Sequence, residues 1–283
     1  MSPREKNNLD ELARRIRYDI VMSVYNAGSG HPGGSLSIAD VLAVLYGEVL
    51  RHDSRNPKWP ERDRVILSKG HAAPALYAAL AETGYFDREI LWTLRKYGSP
   101  LQGHPCMLKG PPGIEMSTGS LGQGLSIAVG LSLGARLARA NWRTYCIIGD
   151  GELDEGSVWE AIMAAAHHKL DNLCAIIDEN RLQIDGFCRD VMDPGDLDAR
   201  FRAFGWNTIR VNGHELDSIR SAFDGANETK GKPTAVILST IKGKGVSFME
   251  NRAEWHGKAP NEAQARAAIE EIGFTWGELG GTR

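Results

Sequence analysis

The chain has little of what marks a secreted, membrane-bound or nucleic-acid-binding protein. It contains only four cysteines, Cys106, Cys146, Cys174 and Cys188, with no paired spacing for a metal, and two of them fall inside apolar runs that read as core strands. Reduced, buried thiols fit that placement and predict a cytoplasmic protein. An excess of one charge is also missing: 33 Lys and Arg against 36 Asp and Glu leave a net charge of -3, with the basic residues scattered, so nucleic acid is excluded as a partner. No stretch reaches the ~18 uncharged apolar residues of a membrane span. The N-terminal MSPREKNNLDELARR lacks the apolar core of a signal peptide. Without internal repeats, low-complexity tracts or an interdomain linker, residues 1–283 are expected to form one domain. Such a chain can bury about three quarters of its unfolded surface.

What is present is an alternation of helical and extended patterns. Leu9, Leu12, Ile16, Ile20 and Val24 recur at helical spacing, with Gly28 placed to end the helix. Ser37 with Asp40 reads as a capping box opening a buried helix over 38–50. A first strand is expected at 65–67, helices at 74–82 and 87–95, and an irregular loop at 97–113 whose length suggests function. A helix over 121–139 carries small residues from Gly122 to Gly134, so close backbone packing is expected along it. Strands at 145–148, 173–177, 206–211 and 234–239, with helices at 155–169, 197–204, 216–226 and 262–272, complete the pattern. It is the pattern of an α/β fold: a doubly wound parallel sheet with helices on both faces.

The stretch 145–186 carries the chemistry. Two apolar strands joined by a helix make a right-handed βαβ unit, which sets Gly149-Asp150-Gly151 and Asp178-Glu179-Asn180 side by side at the carboxyl edge of the sheet. The Asp150 carboxylate, the Asn180 carboxamide oxygen and a loop carbonyl such as that of Leu182 supply half an octahedron for a hard cation, with phosphate oxygens and water to complete it. Two other glycine-rich strings fail their context. Residues 28–33 match G-x-G-x-x-G but follow a helix, and no helix is expected to open at the third glycine. Lys242-Gly243-Lys244-Gly245 lacks the spacing of a nucleotide P-loop and reads as a mobile loop carrying His256 over a ligand.

Four of the eight histidines, His31, His71, His104 and His256, sit in loops bearing glycine or proline. Any one of them alone reads as an ordinary loop imidazole; four together suit chemistry that moves protons near neutral pH.

The Gly-Asp-Gly unit followed by Asn180 resembles the thiamine-diphosphate motif, and the chain as a whole resembles the N-terminal, diphosphate-binding part of a transketolase. The likeness runs through GSGHPGGSLSIADVL (28–42), SKGHAAPALYAAL (68–80), LQGHP (101–105), STGSLGQGLSIAVG (117–130) and TIKGKGVSFMENRAEWHGK (240–258). It implies transfer of a two-carbon ketol unit between sugar phosphates, with thiamine diphosphate and Mg2+, or Ca2+ or Mn2+, as cofactors. It also implies roles. Asp150, Asn180 and the Leu182 carbonyl would hold the metal; Asn180, Gly151 and His71 would lie at the diphosphate; Gly119 and Leu121 would make main-chain contacts to the aminopyrimidine; His31 and His256 would exchange protons with the substrate; His104 would bond the two-carbon unit. Glu155 would stand beside the cofactor, facing a partner's carboxylate. Ser120 replaces a proline common in single-chain members, a change of small consequence where the contacts are main-chain. The pyrimidine-binding domain of such enzymes has no counterpart before Arg283, so a separately encoded C-terminal subunit is expected, in an α2β2 heterotetramer. Its contact surface would be the helix from Leu121 and the turn from Glu152 to Glu155. A 2-oxoacid dehydrogenase or deoxyxylulose-phosphate synthase subunit, an enzyme of an unusual sugar phosphate, and a non-catalytic homologue are the alternatives.

Overall fold

The computed structural model of the chain describes residues 3–282. The first two residues and the terminal Arg283 lie outside the described residues. Helix α1 (Pro3–Ala27) is followed by two short helices, α2 (Pro32–Leu36) and α3 (Ala39–Val44), and a wider π-helical turn (Leu45–Val49). Strand β1 (Arg64–Leu67), helices α4 (Ala73–Glu82) and α5 (Gly124–Leu137), β2 (Thr144–Gly149), α6 (Gly156–His167) and β3 (Leu173–Glu179) come next. The chain continues through α7 (Cys188–Val191), α8 (Leu197–Ala203), β4 (Asn207–Asn212), α9 (Leu216–Glu228), β5 (Thr234–Ser239) and α10 (Glu262–Ile272). All five strands are parallel, in the order β1-β2-β3-β5-β4. The chain therefore steps one way across the sheet as far as β4 and turns back to insert β5.

Strand alternation divides the core into two layers. Tyr145, Ile147, Cys174, Ile176, Val236 and Leu238 face the layer of α1, α3, α4, α9 and α10. Their neighbours Cys146, Ile148, Ala175, Ile177, Ala235 and Ile237 face α5, α6 and α8. The register keeps each set on one face, since Cys146 pairs with Ala175 and Ala175 with Ala235. This is the expected doubly wound sheet. Helix α1 packs on α3, α4 and α10 within the first layer, with Leu9, Ile16, Ile20 and Val24 each at most 2 % exposed, and each such burial stabilises by about 2 kcal/mol. Gly28, at φ +65°, ends that helix as expected. Among the described residues no helix is long and apolar enough to cross a membrane. None of the four cysteines forms a disulfide.

The local expectations fail where tertiary bonds take over a side chain. Ser37 and Asp40 do not form a capping box: Ser37 Oγ donates to Asp178 Oδ2 at 2.7 Å, Asp40 pairs with Arg17 and His214, and α3 begins after Ile38 with no side-chain cap. The capping box lies instead at Asn261 and Gln264, opening α10. A one-turn helix does open at Pro32, ahead of Gly33, though no strand precedes it. Residues 121–123 stay outside α5, where Gly122 takes φ +82°, and 87–95 gives only a 3-10 turn, Arg88–Thr93.

The Arg17–Asp40 pair joins α1 to α3 with both side chains about 10 % exposed or less. Burial raises the Asp40 carboxyl, but Arg17 and His214 outweigh it and bring the pKa down to about 2. Removing one partner of a buried pair strands the other, so Asp40→Ala should cost about 3–5 kcal/mol in chemical denaturation at neutral pH. A depressed carboxylate contributes stability above its unfolded pKa of 3.8 and loses it on the way down to about 2. The gap between variant and unmodified protein should close across that window, and a gap that persists below it would contradict the pairing.

Candidate active site

The carboxyl ends of β1, β2, β3 and β5 carry loops that close around a cavity of about 320 Å³. Its lining holds His31, His71, His104, His256, Gly119, Leu121, Asp150, Gly151, Asn180 and Leu182. Ten of the eleven expected site residues thus meet in one place. Glu155 does not: it is exposed as the N-cap of α6, its backbone turned outward by the 3-10 turn Gly151–Asp154. Glu152, expected on the outer contact surface, points inward and is 2 % exposed.

The imidazoles come from four separate loops. The ring centroid of His31 lies 5.4 Å from that of His71, 6.2 Å from His104 and 5.5 Å from His256, and His71 stacks on His256 at 5.0 Å. Burial, with Arg95, His104 and Lys242 nearby, brings His31 down to about 4; burial and Lys242 bring His256 down to about 3. His71 lies well below the ordinary value through burial and Lys69, and His104 is lowered by burial and Arg95. All four are neutral near pH 7, able to accept a proton at one nitrogen and donate at the other. His31 Nδ1 is buried with no hydrogen-bond partner among the described residues.

Two lysines absent from the expected site residues enter the cavity, Lys69 and the Lys242 of the run read above as a mobile loop. Lys69 Nζ stands 2.5 Å from Asp178 Oδ2, so its charge is matched. Lys242, 1 % exposed, donates to the Leu182 carbonyl at 2.9 Å and meets His256 Nδ1 at 2.8 Å. No carboxylate forms an ion pair with it among the described residues, and its pKa falls to about 8 through burial and Lys69. Lysine following a strand and preceding a glycine in an otherwise apolar setting was the available signal for both. The run from Lys242 to Gly245, expected as a mobile loop, is bonded to its surroundings: Gly243 N donates to Gly33 O at 2.9 Å.

Asp150 is 2 % exposed and accepts from Gly151 N at 2.9 Å and Arg181 N at 2.5 Å; burial and the neighbouring Asp178 push it up to about 7. Asn180 Nδ2 donates to Asp178 at 2.8 Å, which fixes Oδ1 as the acceptor of the carboxamide, where it accepts from Leu182 N at 3.1 Å and keeps a second lone pair. Among the described residues no three His, Cys, Asp or Glu side chains cluster as a metal site. The donors here are one carboxylate, one carboxamide and one carbonyl, a hard-oxygen set suited to a cation whose remaining ligands come from a phosphorylated molecule. Glycines keep the walls thin: a Cβ on Gly34 would stand 3.2 Å from His71 Nε2, and one on Gly119, at φ +144°, would stand 3.0 Å from the His104 ring. The unpaired buried ammonium of Lys242, the buried Asp150 carboxylate raised by burial and Asp178, and a glycine-lined wall together fit a diphosphate carrying a divalent cation.

Residues 9–278 match the family described as transketolase, thiamine diphosphate binding domain. The chain belongs to the transketolase family. It is 46 % identical over 94 % of its length to the 6-deoxy-6-sulfo-D-fructose transketolase subunit SqwG of Clostridium sp. (strain MSTE9), of which it covers 96 %. It is 44 % identical over 93 % of its length to an apulose-4-phosphate transketolase subunit of Phocaeicola vulgatus, of which it covers 93 %. The transketolase of Leishmania mexicana superposes on 94 % of this chain with a TM-score of 0.90 and 33 % identity. The chain spans about two fifths of that enzyme, 41 %. Its fold is the thiamine-diphosphate-binding α/β fold of this family.

The lowered histidines have a consequence for stability. An imidazole kept neutral by the fold binds its proton more readily when unfolded, so its contribution is present above the unfolded value of 6.5 and is lost as pH falls toward about 4 for His31 and about 3 for His256. The double replacement His31→Gln, His256→Gln should flatten the decline in melting temperature between those limits. An unchanged decline would show that the two rings are not held neutral.

Proposed function

We propose that this chain binds thiamine diphosphate and a divalent cation, Mg2+ or a similar ion, in the histidine-walled cavity. With a partner chain it then transfers a two-carbon ketol unit from a ketose to an aldose. The observation that carries the reading is the convergence of four neutral imidazoles on the same cavity as Asp150, Asn180 and the Leu182 carbonyl. Thiamine diphosphate supplies a nucleophilic carbon able to cleave the bond beside a ketose carbonyl. The chain's own residues do the rest. Asp150, Asn180 and Leu182 would hold the cation, and Lys242, Lys69 and His71 would face the diphosphate. The backbone at Gly119 and Leu121 would flank the aminopyrimidine. His31 and His256 would hold and release protons at the substrate hydroxyl and aldehyde, with His104 bonding the two-carbon unit. Loading Lys242 onto phosphate oxygens would release the Leu182 carbonyl, which it now occupies.

The substrate is proposed at the level of a ketose with an anionic terminal group. Beside His104 a shallow opening is lined by Ser29, Arg95, Lys96 and Gln102, and Arg95 belongs to no ion pair among the described residues. The relatives named for a sulfonated sugar and for a sugar phosphate match at nearly equal identity, which supports a shared anion-bearing class rather than one compound.

A second chain carrying the pyrimidine-binding domain is supported by the same two relatives, each named as one subunit of its enzyme and covered almost whole. The surface of α5 supports it as well: Gly130 and Gly134 meet no other atom within 4 Å of an added Cβ, and Leu137 and, on α6, Met163 are 87 % and 51 % exposed. Contiguous small and apolar residues of this kind suit a helix of another chain. We propose a single diphosphate-binding domain working in an α2β2 assembly. Free cysteines throughout support a cytoplasmic setting.

The full chain should show no ketol transfer from xylulose 5-phosphate to ribose 5-phosphate alone and should gain it when its genomic neighbour is added; full activity of the isolated chain would overturn the two-chain reading. Asp150→Ala should keep the melting curve and lose thiamine-diphosphate binding, and tight binding by that variant would refute the metal assignment. In the assembled enzyme His31→Ala or His256→Ala should lower turnover about 10²–10⁴-fold with cofactor affinity little changed. His71→Ala should instead be rescued by excess cofactor. Identical phenotypes for the three would return the histidines to a structural role.

A further inference from the structure

Behind the cavity lies a second charged cluster that the proposed chemistry does not use. His214 follows β4, with its side chain 11 % exposed. Its Nδ1 stands 2.7 Å from Asp40 Oδ2, and the amide N–H of Ile241 donates to its Nε2 at 2.8 Å. An amide N–H can only donate, so Nε2 bears the lone pair and the ring proton sits on Nδ1, facing the carboxylate. The tautomer is set from both sides. Asp40 is itself clamped by Arg17, whose Nε donates to the Lys244 carbonyl at 3.2 Å. The strap after β5 is therefore gripped at the Ile241 amide by His214, at the Gly243 amide by the Gly33 carbonyl and at the Lys244 carbonyl by Arg17. The side chain between the first two grips is Lys242.

We propose that His214 is a positioning residue of the site: kept in one tautomer by Asp40, it fixes the Ile241 amide and so aims the Lys242 ammonium at the diphosphate. The inference rests on the cofactor reading above, and it makes His214 the means by which the layer of α1 and α3 sets the geometry of a group at the sheet edge. Lys242 reaches two acceptors at once, 2.9 and 2.8 Å away. A shift of about 1 Å in the strap would break both, because such bonds weaken steeply beyond their normal length.

Two replacements separate positioning from space filling. A glutamine amide extends as far as the histidine Nε2 and can accept from Ile241; an asparagine amide extends only as far as Nδ1 and reaches Asp40 alone. Binding of thiamine diphosphate with Mg2+ is measured by titration calorimetry on the full chain, with its partner present, and kcat is measured at saturating cofactor. His214→Asn should weaken binding about tenfold or more with kcat within about twofold, whereas His214→Gln should stay within about threefold of the unmodified affinity. Hydrogen exchange of the cofactor-free chain gives a second readout: the Ile241 amide should be protected in the unmodified and Gln proteins and exchange freely in the Asn protein. Lys242→Met is run beside them. If Lys242→Met binds weakly while the Asn and Gln proteins bind alike, His214 does not position the lysine and the cofactor reading stands. If Lys242→Met binds as tightly as the unmodified chain, the role of Lys242 and the positioning role fall together. Fast exchange of Ile241 in the unmodified chain overturns the inference without any variant.

Discussion

The site depends on one buried carboxylate. Asp178, at the end of β3 and 0 % exposed, accepts from Lys69 Nζ at 2.5 Å, Ser37 Oγ at 2.7 Å, Asn180 Nδ2 at 2.8 Å and the Thr240 hydroxyl. A charge taken out of water is tolerated only when paired and fully hydrogen-bonded. Burial would raise this carboxyl, and Lys69 with the Thr240 and Ser37 hydroxyls brings it below the ordinary value instead. The four donors come from four separate segments, and each segment carries site residues: Ser37 follows His31, Lys69 precedes His71, Asn180 precedes Leu182, and Thr240 precedes Lys242. Satisfying one carboxylate is what draws the loops to a common point.

Glu152 does the same for the far wall. It is buried, and it accepts from Gly122 N at 2.9 Å, Gly149 N at 3.2 Å and the Ser68 hydroxyl, which in turn accepts from Gly124 N at 3.1 Å. The turn that contains Gly119 and Leu121 is thereby tied to the strand that carries Asp150. Two buried acids thus serve as fasteners, Glu152 raised by its burial and Asp178 lowered by Lys69, while Asp150, with two backbone donors, is pushed up to about 7 by burial and Asp178. Three acids close together at a sheet edge differ in the number of donors each receives, and those with the most donors tie the loops together.

Much of this was legible in the chain. Apolar runs at helical and strand spacing determined the five strands, their parallel direction and the helices on both faces, because burying such runs admits few arrangements. Gly-Asp-Gly followed by Asn180 and the loop histidines pointed to residues that line one cavity, since a strand's carboxyl end fixes where the next residue must emerge. Readings that relied on a side chain's local partner were less secure. Ser37 and Asp40 have the spacing of a cap, yet each found a better-satisfied partner far along the chain, Asp178 for the serine and Arg17 with His214 for the aspartate. The true box at Asn261 and Gln264 survived because those exposed side chains have no such competitor.

What only the tertiary structure decided was the direction of single side chains. A four-residue 3-10 turn after Asp150 sends Glu152 inward and Glu155 outward, a difference that composition and spacing do not encode. Likewise nothing near Lys242 in sequence distinguishes it from Lys244, two residues on. One is 1 % exposed and the other pairs with Glu250 at 3.3 Å, because distant residues grip the strap between them. The sequence determined the elements and the edge at which the site forms, since backbone hydrogen bonding and apolar burial are local or periodic demands. The charges that line the site were settled by which buried groups could find partners across the fold, and that is a demand only the assembled chain can meet.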